Sequence, residues 1–344
     1  MKILASGPSG AIEELHPLVE AGHSVSIGRL QTQPDRKAYT ETELSIACVD
    51  AHVLMASHLE PVTRNVMEAA NALQLIIVPF IGVDRIDLSA ATQLGVAVAN
   101  SPTEENFISV AEAAIGLSLT LLKRIKHNEG RLREGLWGGL HDRGDLLYQK
   151  TFGIIGLGRS GVEVARRLSP WGVELIATDP FVHPQIAAQF NVKLVDLPTL
   201  MKYSDVLSLH ATVTPETTHI INEKTLAWLK PQSILINTAR GALVDEKALY
   251  DALQSKRLGA AALDSFEVEP LSADHMLRSI DPTRLILTPH NVCQTQAGRR
   301  AGIALAIEQI LCVAQGQLPK HILKPQGANN WRGQIHTHLK KETT

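Results

Sequence analysis

Between Phe152 and Gly161 the chain reads FGIIGLGRSG, a short apolar run entering a turn with glycines at 156, 158 and 161. Glycine suits all three places: Gly156 permits the tight bend, Gly158 lets the backbone approach a pyrophosphate, and Gly161 lets the next helix pack closely on the strand. The first amides of that helix would then face an anion. The following run, VELIATD, ends on Asp179. A carboxylate there can accept both hydroxyls of an adenosine ribose and would repel a 2′-phosphate, so the combination points to NAD as the dinucleotide. Asp179 also opens an Asp-Pro dipeptide, and a plain turn role for it stays open.

Three later runs end on residues that could carry chemistry: ILINTARG on Arg240, DSFEVEPL on Glu267 and Glu269, and LILTPHN on His290. They offer a fixed cation, two carboxylates and an imidazole that titrates near neutrality. Ligands of open α/β sheets bind at such strand ends. Each residue also has an ordinary reading as a surface, turn or loop residue, and spacing alone does not make them meet.

The elements that must position these residues alternate along the chain. KILAS, HSVSIG, HVLMAS, LQLIIVP and GVAVANS read as strands separated by helical patterns such as VTRNVMEAANAL. A longer pattern, SVAEAAIGLSLTLLKRIKHNEGRLREG, reads as one helix between domains, basic at its C-terminal end. A second alternation then runs through FGIIGLG, VELIATD, DVLSLH, SILINTA, AALD and RLILT, and RRAGIALAIEQILCVAQG closes it as a final helix. Two such series imply an α/β protein with two parallel-sheet domains, the glycine turn opening the second.

Composition agrees. A chain of 344 residues, 44% hydrophobic and 20% charged, can bury two cores. A net charge of −2 gives no pull towards nucleic acid or an anionic membrane. The apolar stretch around Ala113 to Leu122 reads as too short to span a bilayer, and MKILASGPSG lacks the apolar core of a signal peptide, so a soluble cytoplasmic protein is expected. Cys48, Cys293 and Cys312 lie far apart, suggesting free thiols with neither a disulfide framework nor a metal knuckle.

The motifs KTFGIIGLGRSG, SILINTARGALVDEKALYDAL, AALDSFEVEPL and LTPH, in that order, resemble those of the D-isomer-specific 2-hydroxyacid dehydrogenase family, and the resemblance runs from LQLIIVPFIGVDRIDLSAATQLGVAVANSP to TPHNVCQT. It implies two Rossmann-like or flavodoxin-like domains, the NAD-binding Rossmann domain (101–289) inserted into a discontinuous substrate domain (1–100 and 290–330), with 331–344 left as a polar tail. It implies hydride transfer between NAD(H) and a 2-oxo or D-2-hydroxy acid. His290 would be the general acid or base, Glu269 its partner, and Arg240 the residue holding substrate carboxylate and carbonyl. The backbone amides of Ile81 and Gly82 would meet the substrate carboxylate. Arg159 and Ser160 would lie in the pyrophosphate turn, Thr238 and Ala239 beside the cofactor, and Asp264 on its nicotinamide side. Met55, His58, Phe80 and Ile81 are candidates to line the substrate pocket.

The chain departs from the family pattern at Thr212, which replaces a proline beside the adenosine, and at Val292 and Cys293 after the histidine. GLWGG matches a loop that reaches across a dimer interface, with Trp137 as its anchor, so a homodimer is expected. Hydroxypyruvate or glyoxylate reduction, or a short phosphoglycerate dehydrogenase-like reaction, are the favoured readings. An NAD(H)-binding corepressor on the same fold is the alternative.

Overall fold

The structure, a computed structural model, describes residues 1–7, 12–30, 38–57, 59–324 and 330–333. The chain divides into two compact units: unit 1 is Met1–Asn106 with Gln296–Thr344, and unit 2 is Phe107–Thr295.

Unit 1 is built on five parallel strands, β1 (Lys2–Gly7), β2 (Ser24–Leu30), β3 (Val53–Met55), β4 (Leu75–Val78) and β5 (Ala97–Asn100), in the order β2-β1-β3-β4-β5. Side chains alternate between two buried faces. Leu4, Leu54, Ile76 and Val98 face the helices Glu41–Cys48, Arg64–Ala69 and Leu88–Leu94, whereas Ile3, Ala5, Val53, Met55, Leu75, Ile77, Ala97 and Ala99 face the helix Gln296–Ala314. Burial on both faces is why these strands read as continuous apolar runs.

Unit 2 carries seven parallel strands: β6 (Thr151–Ile155), β7 (Glu174–Thr178), β8 (Val192–Leu194), β9 (Val206–Leu209), β10 (Ile234–Asn237), β11 (Ala260–Leu263) and β12 (Leu285–Leu287), in the order β12-β11-β10-β9-β6-β7-β8. The order reverses between β6 and β9. In a doubly wound sheet the ligand crevice opens at that reversal, outside the carboxyl ends of the strands.

One strand went unread in the sequence, and four expectations need correction. The edge strand β8, three residues of VKL, gives no sequence signal because it is too short for alternation to show. The long pattern after Pro102 forms two helices, Glu104–Leu122 and Ile125–Arg133, broken at Arg124, whose φ of 53° is left-handed. Asp145 N–H takes the Leu122 carbonyl where the chain returns. Glu104–Leu122 is also long and apolar enough to cross a bilayer on length and composition, contrary to the reading above. Its buried side chains, among them Ala111, Ala114, Ile115, Leu117 and Leu121, sit in the core of unit 2, so it is a core helix. The unit boundaries fall at 106/107 and 295/296 rather than 100/101 and 289/290, since the loop of His290 packs with β11 and β12.

The fourth correction concerns the polar tail. Trp331 is 1% exposed and donates its indole N–H to the Gln74 carbonyl at 2.9 Å, while the Arg332 amide donates to Gly95 O at 2.9 Å. Burying one indole contributes on the order of 5 kcal/mol of apolar transfer free energy, enough to dock an otherwise polar segment. The remainder of the expected tail, 334–344, lies outside the described residues.

Candidate active site

The glycine turn follows β6 at the strand reversal. Gly156 has φ of 90°, and a Cβ there would fall 2.6 Å from Ala211 N and 2.7 Å from His210 C, so the turn is seated directly on the chain leaving β9. A Cβ at Gly161 would lie 2.2 Å from Gly156 O. At Gly158 a Cβ would meet nothing within 4 Å. Gly156 and Gly161 are therefore required by packing, and Gly158 by whatever approaches from outside. Gly158 is also the N-cap of the helix Arg159–Leu168 and supplies no side-chain acceptor, so the first amides are left for another acceptor. Arg159 is exposed, its guanidinium 5.2 Å above the Phe107 ring, and Ser160 is half-buried in the same turn.

Asp179, at the end of β7, makes the turn weighed for it and ties that turn to the glycine loop. Its Oδ2 accepts the Leu157 amide at 2.8 Å, tying the strand end to the glycine turn, and its Oδ1 accepts Phe181 N at 2.8 Å and Val182 N at 3.1 Å. Three donors leave lone-pair capacity on a carboxylate for a ribose hydroxyl.

Further along the same edge, buried polar atoms are left without protein partners: Nδ1 of His210, Oγ1 of Thr238 and Oγ of Ser265. His210 is pushed down to about 4 by burial, so its imidazole is neutral, with Nε2 2.8 Å from Ser208 Oγ. Thr212 is exposed in the loop that follows. Orphaned groups of this kind at strand ends, beside an uncapped helix start and an acid, fit a bound dinucleotide.

The chemistry-bearing residues sit on adjacent loops. β10 ends at Asn237, fully buried, whose Oδ1 accepts Ala239 N at 3.0 Å and whose Nδ2 donates to Arg240 O at 2.8 Å. This turn fixes the Arg240 loop, and Arg240 Nη1 donates back to Ala239 O at 2.9 Å. Beyond β11, Asp264 is 1% exposed; its Oδ1 accepts Thr288 Oγ1 at 2.6 Å, Asn291 N at 3.0 Å and Val292 N at 3.2 Å. Asp264 thus organises the loop after β12, on which His290 stands with φ of 50°.

His290 Nδ1 lies 2.8 Å from Glu269 Oε2 and 3.0 Å from Oε1. The hydrogen bond and charge of Glu269, with a smaller contribution from Asp264, raise the imidazole above its ordinary range, against burial and the Arg240 cation. Glu267 turns elsewhere and pairs with His219.

Val292 packs against the core of unit 2, and Cys293 lies 3.9 Å from Asp264 Oδ2, its thiol pushed up to about 12 by burial and that carboxylate. Sequence reasoning missed Asn237 and Thr288. Asn237 is legible in retrospect as a turn former ending the apolar run ILIN, whereas Thr288 gave no signal.

In unit 1, Phe80 O accepts from Ser101 N at 2.9 Å and Ile81 O from Asn100 Nδ2 at 2.9 Å. Among the described residues no acceptor meets the N–H of Ile81 or Gly82. Met55, expected in a pocket, is instead fully buried in the core because its strand position faces the helix Gln296–Ala314. His58 lies outside the described residues.

The family model for the D-isomer specific 2-hydroxyacid dehydrogenase NAD binding domain matches residues 115–291. The chain is 40% identical over 285 residues to a D-3-phosphoglycerate dehydrogenase of Methanocaldococcus jannaschii, covering 83% of this chain and 54% of that one. It spans about half the length of the phosphoglycerate dehydrogenases it matches. It is 36% identical over 295 residues to a hydroxypyruvate reductase of Thermotoga maritima, covering 86% of this chain and 95% of the relative. A Staphylococcus aureus NAD-dependent formate dehydrogenase, solved with NAD, superposes with a TM-score of 0.80 at 29% identity over 94% of this chain and 99% of that one. The family match covers the glycine turn, Arg240, Glu269 and His290, and the likeness to the hydroxypyruvate reductase extends through both units, so the chain belongs to the D-isomer specific 2-hydroxyacid dehydrogenase family.

Proposed function

We propose that the protein is an NAD-dependent oxidoreductase interconverting a D-2-hydroxy acid and its 2-oxo acid. The observation that carries this reading is the His290–Glu269 pair at 2.8 Å, on the same strand-end edge as Arg240 and the uncapped glycine turn, in a chain of this family.

The nicotinamide, when bound, supplies or takes up the hydride. Gly158, Arg159 and Ser160 would meet the pyrophosphate on the turn that Gly156 and Gly161 shape, Asp179 would meet the adenosine ribose, Thr212 the adenosine side, and Thr238, Ala239 and Asp264 the nicotinamide side. In reduction, Nε2 of protonated His290 donates to the carbonyl oxygen of the substrate as negative charge grows there, and in oxidation the neutral ring accepts the hydroxyl proton. Glu269 on Nδ1 fixes the ring and favours its charged form. Arg240 presents a planar cation suited to a carboxylate beside a carbonyl.

A homodimer is part of the same reading. Helix Ile125–Arg133 and the loop after it expose Leu132, Leu136, Trp137 and Leu140, with Trp137 85% exposed. Asp142 shapes that loop through His127 at 2.8 Å and the Gly139 amide at 2.7 Å. Such a rigid apolar patch suits a second copy. The three cysteines are free thiols, which agrees with a reducing cytoplasm.

The test is a panel of 2-oxo acids with NADH, including hydroxypyruvate, glyoxylate and phosphohydroxypyruvate, each compared with the methyl ketone or amide of the same side chain. The acids are expected to react, and the uncharged analogues to lose roughly 3 kcal/mol of transition-state stabilisation, with no rescue by Arg240→Lys. Equal reduction of acid and ketone would defeat the reading. Peptide capture without turnover would favour the corepressor alternative.

A further inference from the structure

A buried carboxylate outside the proposed reaction underlies the loop that carries Glu269. Glu246 opens the helix Glu246–Gln254 but does not cap it, because Asp245 accepts the Ala248 amide at 2.9 Å. Glu246, 6% exposed, turns instead to the neighbouring loop. Its Oε1 accepts the Glu267 amide at 2.9 Å, and its Oε2 lies 3.1 Å from His275 Nε2. His275 Nδ1 accepts the Leu277 amide at 3.4 Å, which places the imidazole proton on Nε2, donated to Glu246.

Two consecutive amides of the loop are thus each held by a carboxylate. Phe266 N–H goes to Glu269 Oε1 at 2.9 Å, and Glu267 N–H goes to Glu246. The other side of the same peptide is occupied by the turn after Arg240: a Cβ on Gly241 would fall 1.9 Å from Phe266 C and 2.3 Å from Glu267 N. The backbone of the Arg240 loop and that of the Glu269 loop are therefore seated on one another at a single peptide unit, and Glu246 is the side chain that holds its N–H.

We propose that Glu246 is a positioning residue: by accepting the Glu267 amide it fixes the turn from which Glu269 reaches His290 and on which the Arg240 loop rests. The inference rests on the roles given above to Arg240, Glu269 and His290, and adds a residue that touches no reacting group. Burial raises the Glu246 carboxyl above its ordinary range, opposed by the Glu267 amide and by His275; the nearby Glu267 carboxylate adds to the rise. Lys247, next to it on the helix, is paired with Asp251. What the loop needs from Glu246 is an acceptor at the right reach, which a neutral amide can also supply.

Two substitutions separate reach from charge. Glu246→Asp keeps the charge but is one methylene too short for the Glu267 amide, and Glu246→Gln keeps the acceptor for that amide without the charge, its NH2 facing His275, whose ring then takes the Nδ1–H tautomer to accept it. The His290 imidazole is followed by NMR through a pH titration, its signal identified by its loss in His290→Ala, and kcat and KM with NADH and a 2-oxo acid are measured in parallel. Glu246→Asp should lower the His290 midpoint by about half a unit, because a displaced Glu269 favours the charged ring less. It should cut kcat about fivefold with KM for NADH within about twofold, and Glu246→Gln should restore most of both losses. Should Glu246→Asp fail to fold, Glu246→Met fills a similar volume with no acceptor and carries the same expectation. An unchanged midpoint in the short or apolar variant, or a glutamine variant as impaired as they are, overturns the proposal. A wild-type enzyme that reduces no 2-oxo acid defeats the functional reading instead, and the His290 titration still decides whether Glu246 acts through Glu269.

Discussion

Two helix starts in this protein follow strands of similar parallel sheets and are finished in opposite ways. In unit 1 the helix Leu88–Leu94 begins at Asp87, whose side chain accepts the Ala90 amide at 2.8 Å. In unit 2 the helix Arg159–Leu168 begins at Gly158, with no side-chain acceptor and open space where a Cβ would stand. The four first amides of a helix need acceptors from somewhere. Where the sequence provides one, the helix end contributes to stability; where it provides glycine, the helix end is available to an anionic ligand. The same contrast extends to the carboxylates. Asp87 satisfies its own helix, while Asp264 and Glu269 reach across to the loop of His290 and set the position and charge of a group that would react.

The largest expected effect lies at the reactive end of that contrast. His290→Ala should lower kcat by about a hundredfold or more, while NADH binding followed by fluorescence stays near wild type. Wild-type turnover in this variant would remove His290 from the chemistry.

Gly158→Ala should come next. Its Cβ meets no protein atom, so thermal stability should hold, but it intrudes where the pyrophosphate approaches, and NADH affinity should fall by about tenfold or more. Loss of stability with unchanged affinity would show that the open helix start serves packing, as Gly156 and Gly161 do.

Glu269→Gln tests the charge on the ring. His290 is raised by Glu269, so in the reduction direction kcat/KM is high while the ring is protonated and falls as pH rises through that raised value. Without the carboxylate, burial and Arg240 dominate and the descending limb should move to lower pH. The oxidation limb, which needs the neutral ring, should move the same way. The same sign applies to stability: the pair's contribution is present below the ordinary histidine value and is lost as pH rises through the raised one. A limb that stays in place would separate Glu269 from His290.

The smallest effect is the structural counterpart. Asp87→Ala should cost about 1 kcal/mol in thermal or denaturant unfolding and leave NADH affinity and turnover unchanged. A change in cofactor binding would break the distinction between the two helix starts.

The sequence by itself determined the two alternations of strand and helix, because strands buried on both faces must be apolar throughout, as in Leu75–Val78 and Ile234–Asn237. It also determined the glycine turn and the acid after it, since their roles depend on residues near one another in the chain. The short edge strand Val192–Leu194, the break at Arg124 and the docking of Trp331 were not legible, because each is decided by a partner distant in sequence or by a run too short to show a period. Spacing left Glu267 and Glu269 open and the family resemblance named Glu269, but only the tertiary structure shows why Glu269, and not Glu267, meets His290. The two glutamates are two residues apart and chemically identical, and what separates them is the seating of Gly241 and Glu246 against the peptide between Phe266 and Glu267. That seating depends on β10 lying beside β11, a pairing between segments whose order in the sheet no local pattern encodes.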